Sequence, residues 1–135
     1  MTTRVVFASD TSGHTMGYHV VARGLRDAGF EVIMTGRQLP AEAARTALDE
    51  DADLVAYRIM DRDPVNAVES LLKAMAEAGI GGKPVLIGGI VGKRDADAIR
   101  AMGVAGVFGP GAKLDDIVAC AREATEDAVT DTRKP

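Results

Sequence analysis

The sequence predicts an α/β domain: a parallel five-stranded sheet with helices on both faces. Three observations predict it. Short apolar runs alternate with segments of helical spacing five times along 135 residues, a length that suits one compact domain. The first run, Arg4 to Ser9, is continuously apolar and β-branched rather than alternating, as expected of a strand buried on both faces. The connections are short, and strands regularly interleaved with helices pair in parallel through right-handed crossovers.

Taken in order, each element has its own signal. After the first strand, Met16 to Ala28 carries apolar residues at Val20, Val21, Leu25 and Ala28, a helical spacing. Gly29 ends it in the position where left-handed backbone is needed. Phe30 to Thr35 is a second strand, closed by Gly36. Leu39-Pro40-Ala41-Glu42 opens a helix with proline near its first turn, and Ala43, Ala44, Ala47 and Leu48 form its apolar stripe. Leu54 to Met60 is a third strand, followed by a loop and cap at Asp61-Arg62-Asp63-Pro64. The helix from Pro64 to Ala78 places Val68, Leu71, Leu72 and Met75 on one face, and Gly79, Gly81 and Gly82 break it. Lys83 to Ile87 is a fourth strand ending in Gly88-Gly89. Asp95 to Met102 is a short helix ended by Gly103, and Val104 to Phe108 a fifth strand ending in Gly109-Pro110-Gly111. Leu114 to Ala124 is the last helix. Glu126 to Pro135 is polar and unpatterned, so one domain is expected over 1–126 and a flexible tail over 127–135. Five such units suit the flavodoxin-like (Rossmann-like) strand order 2-1-3-4-5.

Composition excludes several classes. With only 4% aromatic residues, the core must be Val, Ile, Leu, Ala and Met. The formal net charge is −4 and the Lys and Arg residues are scattered, so no nucleic-acid stripe is present. The single Cys120 cannot form an internal disulfide. The N-terminus shows no secretory pattern, and no apolar run reaches membrane-spanning length. A cytoplasmic protein with no membrane or nucleic-acid partner is expected.

In open parallel sheets ligands bind beyond the carboxyl ends of the strands. The ends of strands 1, 3, 4 and 5 should share one rim. It carries the Asp10–Gly17 loop, Arg58 to Asp61, Gly88-Gly89 and Phe108 to Gly111. His14 sits just before a helix, beside Gly13 and Gly17, which let a bulky ligand approach the backbone. A rim imidazole can ligate a metal or move protons. A lone loop histidine is ordinarily just solvated, but here the other rim segments are glycine-rich too. Gly88-Gly89 reads as a turn or as a floor under a ligand.

Those residues resemble a known family. Ser12-Gly13-His14-Thr15-Met16-Gly17 resembles the Asp-x-His-x-x-Gly signature of cobalamin-binding domains. Gly88-Gly89 matches the Gly-Gly after their fourth strand. Val107-Phe108-Gly109-Pro110-Gly111 looks like the last-strand motif of the small domain of methylmalonyl-CoA mutase and its relatives. The similarity runs from Arg4 to about Ala124. It implies cobalamin bound base-off, with His14 as the lower cobalt ligand. The displaced nucleotide tail would pass Gly88 and Gly89 into a slot lined by Phe108, Gly109 and Pro110. Ser12, Gly13, Thr15, Gly17, Arg58 and Met60 complete the implied contact set. An imidazole suits cobalt as a borderline nitrogen donor.

Three motifs depart from the family's pattern. Its aspartate, which orients the imidazole and raises its basicity, is Ser12 here. Ser12 offers an uncharged acceptor, and Asp10 is a nearby substitute. The mutases' lysine is Ala8, and the third-strand Ser-x-Leu reads Arg58-Ile59-Met60. That serine hydrogen-bonds the inserted base. Arg58 is larger and charged, so it either obstructs the slot or contacts a phosphate or a different tail.

The resemblance implies the cobalamin-binding small subunit of an adenosylcobalamin-dependent acyl-CoA mutase, which performs a radical carbon-skeleton isomerisation. No catalytic residue is expected in this chain. A large TIM-barrel mutase subunit would hold the acyl-CoA, with its interface on the rim around His14. Methyl-transfer corrinoid proteins share the fold and the histidine, but usually carry a preceding helical domain, which is not seen here. Three alternatives remain open. Asp10 to Thr15 also resembles the flavodoxin phosphate loop, so Thr11, Ser12 and Thr15 would bind FMN phosphate and Tyr57 would stack on the ring. A receiver-like module would use Asp10, Asp61 and Lys113. A degenerate cobalamin-like domain would only bind a partner. The remaining residues read blandly: His19 on an outer helix face, Cys120 as a small buried thiol, and Met60, Met75 and Met102 as packing. Asp49-Glu50-Asp51 reads as a solvated helix end.

Overall fold

The sheet grows outward from its first strand, β1 (Arg4–Ser9), which pairs in parallel with β2 (Glu31–Arg37) on one side and β3 (Leu54–Ile59) on the other. Beyond β3 lie β4 (Val85–Gly89) and β5 (Gly106–Phe108), also parallel, giving the order 2-1-3-4-5 that the sequence predicts. The crossovers are α1 (Thr15–Asp27), α2 (Pro40–Asp49), α3 (Pro64–Glu77) and α4 (Lys93–Ala101), and α5 (Leu114–Arg133) follows β5. The structure is a computed structural model that describes residues 2–133, with side chains through Glu126. Among the described residues no helix is long and apolar enough to cross a membrane.

Alternate residues of each strand feed two cores. Val6, Ala8, Val55, Tyr57, Ile59 and Ile87 pack with α2, α3 and α4. Val5, Phe7, Leu54, Ala56 and Leu86 pack with Tyr18, Ala22 and Leu25 of α1 and Ala121 of α5.

Several boundaries depart from the sequence reading. The buried stripe of α1 is Tyr18, Ala22 and Leu25, whereas Val20 is exposed and Val21 half-buried. β2 does not stop at Gly36. Its register against β1 shifts between Phe7 and Ala8, so Thr35 bulges, Gly36 takes φ +74° and the strand continues to Arg37. The Tyr18 hydroxyl closes this bulge, donating to the Phe7 carbonyl and accepting from the Gly36 N–H at 3.1 Å. A tyrosine can be buried on α1 because these partners exist. α5 runs past Ala124, and the tail expected over 127–135 falls on residues whose side chains or backbone lie outside the described residues. Cys120 is half-buried rather than fully buried. Its thiol donates to the Ala105 carbonyl at 3.4 Å, and burial pushes its pKa up.

Candidate functional site

The β1–α1 loop is held by groups that the sequence reading assigned elsewhere. Asp10 is buried, and its carboxylate accepts the N–H groups of Met60 (2.8 Å), Asp61 (2.9 Å) and Arg62 (2.8 Å). Three hydrogen bonds to an ionised acceptor tie the end of β1 to the β3–α3 loop. Asp10 is therefore no substitute partner for His14. Further along, the Thr11 N–H donates to Ser9 Oγ at 3.3 Å and the Gly13 N–H to Thr11 Oγ1 at 3.1 Å. His14 follows at the start of α1 in left-handed backbone, φ 50° and ψ 49°. Such a conformation costs a side-chain-bearing residue about 1–2 kcal/mol. Its imidazole is exposed, and among the described residues no side chain bonds it; Ser12, also exposed, does not reach it.

Arg58 pays much of that cost. It lies on β3 between Ser9 of β1 and Gly88 of β4 and is only 7% exposed. Its Nε donates to Ser9 Oγ at 3.0 Å, Nη1 to the His14 carbonyl and Nη2 to the Gly13 carbonyl at 2.8 Å. The guanidinium also stands 5.0 Å from the centre of the Tyr18 ring. Burial lowers its pKa below the usual guanidinium value, with Tyr18 and Asp10 opposing that shift.

Below this clamp a cavity of about 410 Å³ opens between α1 and α5 over the sheet, a volume typical of small-molecule sites. Phe7, Ala56, Leu86, Gly88 and Phe108 are among its floor residues; Gly17, Val21 and Leu25 line it from α1 and Ile117 from α5. Gly109, Pro110, Gly111 and Ala112 form one lip, and His14, Met60 and Ile90 stand at the rim. Arg58 thus lines the slot without closing it. The two glycines of β4 do different work. A Cβ on Gly88 would meet only the Phe108 carbonyl oxygen at 3.6 Å, leaving the cleft to any longer side chain. A Cβ on Gly89, at φ +111°, would lie 2.2 Å from the Ile59 carbonyl oxygen, so this glycine is required by the backbone.

Nine of the expected contact residues line this one cleft: His14, Gly17, Arg58, Met60, Gly88, Gly89, Phe108, Gly109 and Pro110. Ser12, Gly13 and Thr15 stay on the exposed loop outside it. Sequence reasoning missed Val21, Ala56 and Leu86. Stepping two residues back along the strands from Arg58 and Gly88, and one helical turn on from Gly17, would have found them.

The alternatives lose their key groups. Tyr57, the ring expected to stack on a flavin, is 1% exposed on the opposite core, with its hydroxyl donating to the Gln38 carbonyl at 2.7 Å. Burial, then the Asp10 charge, pushes its pKa up to about 12. For a receiver-like module, the Asp10 carboxylate is already committed to backbone N–H groups. Among the described residues no three His, Cys, Asp or Glu side chains gather to hold a metal ion. A bare ion needs several protein donors. One exposed imidazole above an apolar cleft suits a metal that brings its own equatorial ligands and an appended tail.

A family model described as B12 binding domain matches residues 3–119. The chain belongs to this family. The pivalyl-CoA mutase small subunit of Xanthobacter autotrophicus is 39% identical over 110 residues, 80% of this chain and 73% of that protein. The 2-hydroxyisobutanoyl-CoA mutase small subunit of Aquincola tertiaricarbonis is 39% identical over 93 residues, 68% of each chain. Methylmalonyl-CoA mutase of Cereibacter sphaeroides is 34% identical over 103 residues, 76% of this chain but 14% of that protein. Among solved structures, a cobalamin-binding protein from Desulfitobacterium hafniense superposes with TM-score 0.68 at 18% identity, covering 90% of this B12 binding domain and 58% of that chain. The chemotaxis protein CheY4 of Vibrio cholerae superposes equally well, with TM-score 0.69 at 15% identity over 92% of this chain and 99% of its own. At these identities both show the fold alone.

Proposed function

We propose that this chain is the cobalamin-binding small subunit of an adenosylcobalamin-dependent acyl-CoA mutase. The observation that carries the reading is one continuous site: an exposed imidazole at the rim directly above an apolar cleft floored by Gly88. Family membership and the two small-subunit relatives support it. His14 is the lower cobalt ligand, and the cleft between α1 and α5 takes the nucleotide tail, with Phe108, Gly109 and Pro110 along its lip. When bound, adenosylcobalamin supplies homolysis of its cobalt–carbon bond and hence a radical carbon-skeleton rearrangement. This chain's part is to bind and orient. Arg58 fixes the backbone from which His14 projects, and the apolar walls of the cleft exclude water from the tail.

Among the described residues no Asp, Glu, Lys or Cys lines the cleft, and on this reading the acid–base groups and the acyl-CoA site belong to a large partner subunit. A TIM barrel of roughly 250 residues is its expected form. The partner docks on the rim, where Met16 (81% exposed) and Ile90 (58%) flank His14 with unpartnered apolar surface. The test is the visible spectrum of the full chain after mixing with adenosylcobalamin or methylcobalamin and removing free cofactor. A retained base-off, histidine-on spectrum that His14→Ala abolishes supports the reading. A cofactor that washes away, with and without a mutase large subunit, refutes it.

A further inference from the structure

The cleft is apolar except at one point. Beneath the β1–α1 loop the Arg58 guanidinium is 7% exposed, yet among the described residues it forms no ion pair. Asp10 and Asp61 act on it through their charge but not by contact, and the Asp10 oxygens accept three backbone N–H groups instead. The partners that Arg58 does have, Ser9 Oγ and the carbonyls of Gly13 and His14, are neutral and take three of its five N–H donors. A buried cation with two spare donors and no carboxylate in contact, facing a ligand-sized cavity, is built for an anion.

We propose that Arg58 makes the rim end of this cleft an anion subsite that binds the phosphodiester of the cofactor's nucleotide tail, and that it thereby sets which tails the protein accepts. The inference rests on the cobalamin reading above. The planar guanidinium fork matches phosphate oxygens in a way that neither serine nor lysine does. Gly88, its cross-strand neighbour on β4, has no side chain to stand between the guanidinium and a ligand. The phosphodiester is the tail's anionic group, and a bonded anion is what Arg58 lacks.

The full chain is titrated with adenosylcobalamin, adenosylcobinamide phosphate and adenosylcobinamide, the last lacking phosphate, ribose and base. Wild type, Arg58→Met and Arg58→Lys are compared by calorimetry, with far-UV circular dichroism to establish folding. Wild type is expected to bind the cobinamide phosphate at least about tenfold more tightly than cobinamide, as a charge-assisted hydrogen bond implies. Arg58→Met should erase that ratio, and Arg58→Lys should keep part of it. Should Arg58→Met fail to fold, the ratio in Arg58→Lys decides: a value unchanged from wild type overturns the fork's role. A loss on substitution seen with adenosylcobalamin but not with the cobinamide phosphate assigns Arg58 to the base and overturns the phosphate assignment. If wild type binds all three but the ratio survives in Arg58→Met, the anion subsite alone falls. If wild type binds no corrinoid, the cobalamin reading falls and takes this one with it.

Discussion

One methyl group added at either of two adjacent glycines should have opposite effects. At Gly89, φ is +111°, where a residue with a Cβ is strained by about 1–3 kcal/mol. The new Cβ would also sit 2.2 Å from the Ile59 carbonyl oxygen, on the neighbouring strand. That oxygen accepts the Ile90 N–H at 2.9 Å, so moving it away weakens a bond worth about 1 kcal/mol. Gly89→Ala should therefore cost about 3 kcal/mol or more, a large share of a typical domain's stability. At this chain length that lowers Tm by about 10–15 °C. Gly88 has no such constraint, since its added Cβ makes one ordinary contact at 3.6 Å. Gly88→Ala should leave Tm unchanged or raise it by a few degrees, because alanine reduces unfolded-chain entropy by about 0.4–1 kcal/mol. Gly88→Phe should fold yet fill the cleft and lose corrinoid binding. Thermal unfolding by circular dichroism and cofactor retention on gel filtration read all three variants. Equal destabilisation by the two alanines, or wild-type corrinoid binding by Gly88→Phe, would refute the separate roles.

Three further outcomes are expected. His14→Gly should keep or raise stability, by up to about 1 kcal/mol in urea denaturation, since relief of left-handed strain offsets glycine's added freedom; a larger loss would mean that the imidazole is a structural contact. Tyr18→Phe should cost about 1–3 kcal/mol, because the Gly36 N–H and Phe7 carbonyl lose their buried partner, and a change below about 0.5 kcal/mol would mean that the bulge closes without it. Tyr57 holds its proton more tightly folded than unfolded, so its contribution to stability is complete below pH 10 and is lost as pH rises to about 12. Tyr57→Phe should remove that part of the alkaline decline in the urea midpoint, and identical pH profiles for the two proteins would show that Tyr57 does not titrate abnormally.

The fold was legible because its signals are local: apolar runs, helical spacing and glycines at helix ends. Strand order followed from the count of βα units. The rim residues were legible for the same reason, each being a short motif at a strand end. What stayed hidden depends on distant pairing. Asp10 resembles a ligand in sequence, and only a loop fifty residues away shows that it is a structural tie. The clamp by Arg58 crosses 44 and 45 residues to two backbone carbonyls, which no side-chain pattern announces. Val20 and Tyr18 traded places for a related reason. A polar hydroxyl is buried and a valine exposed because a bulge in β2 offers the hydroxyl both a donor and an acceptor.

The fold itself does not choose the function, since CheY4 and a cobalamin-binding protein superpose on it about equally. The choice lies in how the rim satisfies its polar groups. The family resemblance provides a carboxylate that orients the histidine through its ring N–H and raises its basicity. Here position 12 is an exposed serine, and orientation comes from beneath, through a guanidinium that fixes the backbone of His14 in a conformation it would not otherwise hold. Two hydrogen bonds from a charged donor, at about 1.5–3 kcal/mol each, exceed the strain of one left-handed residue. The two devices are not equivalent. A carboxylate on the ring strengthens the nitrogen as a donor, whereas a clamp on the backbone sets only its direction. In this B12 binding domain the direction of His14 is accordingly set by Arg58 through the backbone, with no side chain bonded to the ring among the described residues.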